Sequence, residues 1–94
     1  MIVWKSRISA IEQRVTVCIP DGSSFMAART QGHDISIWYT VPDIYARLVM
    51  VEFIVVGTGK EIVLNDNETL YHWGTVQEEG YVLHIFQVLP GDGG

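Results

Sequence analysis

The stretch Leu48-Val49-Met50-Val51-Glu52-Phe53-Ile54-Val55-Val56 decides how this chain reads. Eight of its nine residues are apolar and five are β-branched, the pattern of a strand covered on both faces rather than of a helix or a half-solvated strand. Glu52 is the one interruption. No other part of the chain sustains three turns of amphipathic helix, so no long helix is at hand to lie across the second face. The expectation is that a second copy of the chain supplies the cover, making a homo-oligomer, the alternative being a closed barrel or sandwich edge.

Upstream, Arg14 to Ile19 alternates, with Val15, Val17 and Ile19 on one face and Arg14, Thr16 and Cys18 on the other, as a half-buried strand does. Pro20-Asp21-Gly22-Ser23 is a turn signal before Phe25 to Gln31, and Gly32-His33-Asp34 is a second before Ile35 to Val41; the spacing predicts an antiparallel meander. In the last of these strands Ile35, Ile37, Tyr39 and Val41 share a face, which leaves Trp38 outside the apolar stripe. From Pro42 to Arg47 there is room for one helical turn. Downstream, Leu70 to Gln77 and Tyr81 to Val88 read as a hairpin closed by Glu78-Glu79-Gly80, a three-residue loop ending in glycine. Pairing Gln77 with Tyr81 then sets Gly74 opposite His84 and His72 opposite Phe86. The fold class is all-β: a single small antiparallel barrel or sandwich of about six or seven strands, with at most one short helical turn. Residues 1–89 form the domain, and 90–94, Pro-Gly-Asp-Gly-Gly, form a flexible tail.

With 94 residues, 48% of them apolar, the chain makes one domain that hides roughly 65% of its extended surface on folding. Its eleven acidic and six basic residues give a formal net charge of −5 and form no polybasic stretch. That argues against a binder of duplex DNA or of anionic membranes and leaves a small anionic ligand open. The single cysteine, Cys18, excludes an internal disulfide and a multi-cysteine zinc site. The opening MIVWKSR lacks the apolar run of a secretory signal, and charges break every apolar stretch before it reaches membrane-spanning length. The expectation is a cytoplasmic protein, for which Asn67-Glu68-Thr69 is a chance match to a glycosylation acceptor.

Gly57-Thr58-Gly59-Lys60 ends the apolar strand. It is no Walker A loop, which needs four residues between its glycines, a Ser or Thr after the lysine and a following helix. The chemistry left to it is smaller. The glycines let backbone N–H groups approach an anion, Thr58 adds a hydroxyl and Lys60 a charge. The alternative is a glycine-assisted strand end with a solvated lysine. His72 and His84 are diagonal neighbours in the hairpin register, able to share a ligand or to pack as a pair. A metal would need a third donor, for which Glu52 is the only acid on an apolar strand, and no metal site or cofactor is predicted. Cys18 has no basic neighbours to activate it, Ser23 and Ser24 follow a turn rather than a nucleophile elbow, and Glu78-Glu79 serves solubility. Trp4, Trp38 and Trp73 are the residues best able to stack on a base or anchor an interface, with core packing the favoured reading of each. Nothing here assembles a catalytic set, so a binding protein is favoured over an enzyme, and an enzyme acting through His72 and His84 stays open as an alternative.

Taken in order, Val3-Trp4-Lys5, Pro20-x-Gly22, Gln31-Gly32, Trp38, Gly57-Thr58-Gly59, Gly74-Thr75 and His84-Ile85-Phe86 resemble a family of small uncharacterised proteins carried by phages and plasmids. The likeness spans nearly the whole chain to Val88. Lys60 stands where that family commonly has histidine, and Val41 to Arg47 departs from its proline-rich loop. The resemblance implies a mobile-element setting and a small β fold, and brings no catalytic residues with it. In that setting the expected function is non-catalytic binding: a counter-defence sponge that sequesters a small nucleotide-derived immune signal in a homo-oligomer, acting in the host cytoplasm. Gly57, Thr58, Gly59 and Lys60 would hold a phosphate. Arg29 or Arg47, from the same or a neighbouring subunit, would add charge, Trp38 or Trp73 would stack on the base, and His72 and His84 would add hydrogen bonds. The alternatives are an inhibitor or adaptor of a host protein and a structural phage component.

Overall fold

A computed structural model describes residues 1–9, 13–32, 34–78 and 80–90. They form seven antiparallel strands: β1 (Ile2–Ile8), β2 (Arg14–Pro20), β3 (Ser24–Gln31), β4 (Asp34–Val41), β5 (Leu48–Gly57), β6 (Thr69–Glu78) and β7 (Tyr81–Leu89). The strands lie in two sheets, ordered β1-β4-β3 and β2-β5-β7-β6, stacked as a sandwich. No helix among the described residues is long and apolar enough to cross a membrane.

Alternation decides what each strand buries. On β4, Ile35, Ile37, Tyr39 and Val41 turn inward and are almost wholly buried, while Trp38 and Thr40 turn outward and stay partly exposed. Facing them from the second sheet are Val51, Phe53 and Val55 of β5 and Leu83 and Ile85 of β7. Between the sheets sits Trp73. Its ring packs edge-on against Phe53 at 4.7 Å and against Tyr39 at 6.2 Å, and its indole N–H donates to Gln87 Oε1 at 2.9 Å. The Tyr39 hydroxyl is met by Ser6 Oγ at 2.8 Å, so the polar ends of the core aromatics have partners.

One flank of the sandwich is closed by β3 lying against β6, tied by the Tyr81 hydroxyl donating to Thr30 Oγ1 at 3.2 Å. On the other flank β1 pairs only with β4, and β2 only with β5, among the described strands.

Three sequence expectations change. Strands β3 and β4 are the predicted hairpin, with Gln31 opposite Asp34, but β2 crosses to the other sheet and pairs with β5, so 14–41 is no meander. The β6–β7 hairpin pairs Glu78 with Tyr81 and Gln77 with Val82, a register one residue off the expected one. A bulge between His72 and Gly74 then restores His72 opposite Phe86. The extra residue is Trp73, and the local kink turns it into the core. Gly74 therefore faces Ile85 rather than His84, and the place of its missing side chain is taken by the Phe25 ring, not by space for a ligand.

The third concerns the second face of β5. Ile54, Val56 and Val88 are buried on the outside of the sheet, with Ile62, Leu70 and Phe86 packed around them. The cover is the chain's own segment 58–68, which folds back over the sheet, so these residues do not need another subunit to be buried. Leu48 and Met50, further up β5, are left 54% and 75% exposed. The segment 42–47 makes a single turn, with Ala46 N–H donating to the Asp43 carbonyl at 3.0 Å. Of the tail, 91–94 lie outside the described residues, as does the turn residue His33.

Candidate functional site

Strand β5 ends in a tight turn. Lys60 N–H donates to the Gly57 carbonyl at 3.2 Å and Thr58 N–H to the Val82 carbonyl at 3.3 Å, while Gly59 takes the left-handed φ of 88° that glycine accepts readily. The turn is thereby pinned to β7 beside His84. Thr58 Oγ1 lies 2.7 Å from His84 Nε2, Thr75 Oγ1 lies 3.3 Å from His84 Nδ1, and His72 Nε2 lies 3.1 Å from the same Thr75 oxygen. Three separate stretches of sequence thus build one row, Thr58–His84–Thr75–His72, on the outer face of the four-stranded sheet. The bulge at Trp73 makes this possible, because it turns Thr75 to the same side as His72.

His84 has both ring nitrogens engaged by hydroxyls. A hydroxyl can donate or accept, so the row accommodates either imidazole tautomer. The two imidazoles are 6.4 Å apart, and His72 also packs against Phe86 at 5.2 Å. Both histidines are at least partly exposed, which makes them surface groups rather than core packing. The row offers hydroxyl and imidazole hydrogen bonds beside the turn that carries Lys60, groups able to hold an anion. Glu52, the acid that could have completed a metal site, is turned away to Arg14 at 2.9 Å.

Arg14 fixes the covering segment. Its guanidinium grips both carboxylate oxygens of Glu68 at 2.8 Å, Glu52 at 2.9 Å and the Val63 carbonyl at 2.9 Å. Glu68 also accepts from Asn65 N–H at 2.7 Å. The bidentate Arg14 bond, with the Asn65 amide, pulls the Glu68 carboxyl down to about 2 from an ordinary 4.5, and the same bond raises the Arg14 guanidinium. Beside this clasp opens a cleft of about 270 Å³ lined by Met50, Glu52, Glu68, Gln87, Val88 and Pro90, among others.

The predicted site residues thus divide. Gly57, Thr58, Gly59, Lys60, His72 and His84 come together. Trp38 and Arg29 lie on the outer face of the other sheet, in a molecule about 17 Å thick, so one small ligand does not reach both groups within a subunit. Trp73 is core, 8% exposed and packed against Phe53 and Tyr39, so its ring is not open to a base. Trp4 faces inward opposite Tyr39 at the unpaired β1 edge. Arg47 ends the 42–47 segment, its carbonyl accepting from Asp21 N–H at 2.8 Å, at the opposite end of β5 from the histidines. Sequence reasoning missed Thr75 and Arg14. Thr75 could be assigned only with the bulge in hand, whereas Arg14 carried a signal, a cation on the outer face of an otherwise apolar strand.

No curated protein and no solved structure matches this chain. One family model does, over residues 1–92, and its description is a domain of unknown function, DUF7352. The chain belongs to that family.

Proposed function

We propose that this domain is a non-catalytic binding protein, of the kind phages carry, whose ligand is a small nucleotide-derived molecule held by its phosphate at the Thr58–His84–Thr75–His72 row. The observation that carries the reading is the convergence of Thr58, in the Gly57–Lys60 turn, with His72 and Thr75 of β6 and His84 of β7. A lysine and imidazoles are groups that recognise a phosphate, whereas the Thr58 and Lys60 amides are already given to the Val82 and Gly57 carbonyls; Phe86 beside His72 supplies an adjacent apolar surface. The protein would act as a sponge, removing an immune signal from the host cytoplasm, as a homo-oligomer joined through the exposed Leu48 and Met50 corner. Calorimetry against a panel of cyclic and linear nucleotides, with native mass spectrometry of the same sample, tests it. The expected result is saturable binding that His84→Ala and Lys60→Ala weaken. Absence of any heat with the protein folded would sink the reading.

A second reading rests on that same corner. Leu48, Met50 and Cys18 form an exposed apolar patch beside the unpaired edge of β2, the surface an adaptor or inhibitor of a host protein would present. A partner retained from host lysate after nucleotides are removed, and lost with Met50→Glu, would favour it, as retention of a virion component would favour a structural phage role.

A further inference from the structure

The outer face of the three-stranded sheet carries a second constellation. Cross-strand pairing places Arg7, Ser36 and Arg29 in one row and Lys5, Trp38 and Ala27 in the next, the rows about 7 Å apart. Lys5 Nζ stands 5.3 Å from the centre of the Trp38 ring, a cation–π contact. Trp38 keeps part of its surface exposed, with the small Ala27 on its other side. Three of the six lysines and arginines of a chain with net charge −5 are therefore gathered round one aromatic. The only acid on this face among the described residues is Asp34, and it reaches Arg7 no closer than 3.8 Å, with Arg7 59% exposed. Arg29 has no ion pair among the described residues.

A sheet face with a partly exposed aromatic, one cation on its ring and two more in the adjacent row suits a flexible polyanion whose units have π-faces. The geometry points to this face as a binding site for single-stranded nucleic acid, one base stacking on Trp38 while Lys5, Arg7 and Arg29 take the flanking phosphates. Bases within a duplex are already stacked and cannot lie on the ring. The local excess of positive charge on an acidic molecule orients the strand to this side. The site is distinct from the histidine row, on the opposite face.

The test is fluorescence anisotropy with labelled oligo(dT) and oligo(rU) of about twelve nucleotides at about 50 mM salt, with a duplex of equal length as comparison. Binding of one or both strands is expected, weakening as salt rises, with the duplex bound less tightly. Trp38→Ala should weaken it roughly ten-fold, and Arg29→Ala should lower the salt slope by about one. Should Trp38→Ala fail to fold, Arg29→Glu, on the surface, decides in its place. Preference for dT or rU identifies the natural strand. No anisotropy change with folded protein, equal binding of the duplex, or binding that survives Arg29→Glu but is lost with His84→Ala would overturn the assignment. A failed nucleotide titration at the histidine row would leave it standing.

Discussion

The ring of Phe25, on β3, occupies the space that a Cβ on Gly74, on β6, would need. The contact joins the two sheets, and it exists because residue 74 has no side chain. Gly74→Ala forces the ring or the strand to move, at a cost of about 1–3 kcal/mol and a Tm drop of about 4–8 °C per kcal/mol. In a double-mutant cycle with Phe25→Leu the losses should be less than additive. Strict additivity in thermal melts would refute the packing account.

Trp73 should be the most costly side chain to truncate. Trp73→Ala removes the edge-on contacts to Phe53 and Tyr39 and is expected to cost about 3–5 kcal/mol, a large part of the stability of a domain this size. Trp73→Phe keeps a ring but leaves Gln87 Oε1 without its donor, at about 1–3 kcal/mol. Urea denaturation of both variants ranks them, and an equal loss would show that the indole N–H is immaterial.

The Arg14–Glu68 clasp predicts a particular acid response. The Glu68 carboxyl is lowered to about 2 in the folded protein from 4.5, so its contribution to stability is complete above about pH 4.5 and drains away as pH falls towards 2. Glu68→Gln should be less stable than the parent at neutral pH and should flatten this acid limb. Parallel limbs in a pH series of melts would count against the clasp.

His84→Ala is expected to leave the melting temperature nearly unchanged, because the imidazole lies on the surface, while lowering affinity for a phosphate-bearing ligand. Thr75→Val should do the same more weakly, since it removes the hydroxyl between the imidazoles and keeps the shape. Calorimetry on the two variants separates a ligand site from a structural row: a large drop in Tm without a change in affinity would mark the row as structural.

The sequence made β4 plain. Its apolar residues alternate without a break, and Ile35 to Val41 bury the expected face. β5 was equally visible, yet its cover was not. The covering segment owes its place to Ile62, which alone of Ile62-Val63-Leu64 packs on the outer cluster, and to ion pairs linking Arg14 to Glu68, fifty-four positions away, which no local pattern encodes. The site was half legible for a similar reason. His72, His84 and Thr58 stand out as residue types, but what joins them is Thr75, and the face Thr75 occupies depends on a one-residue bulge set by where the Trp73 side chain fits. β1 shows no apolar alternation to read, because Lys5, Ser6 and Arg7 follow directly on Ile2-Val3-Trp4.

The unpaired ladders of β1 and β2 lie on the same flank of the molecule, where strands of other molecules could add on. Lys5 and Arg7, at alternate positions of β1, act as gatekeepers there, since a growing stack would bring like charges together. The cations assigned to a nucleic-acid strand thus also protect the chain against polymerising. Neutralising both to probe binding would remove that protection, and a polyanion that screened them would draw neighbouring molecules edge to edge along its length.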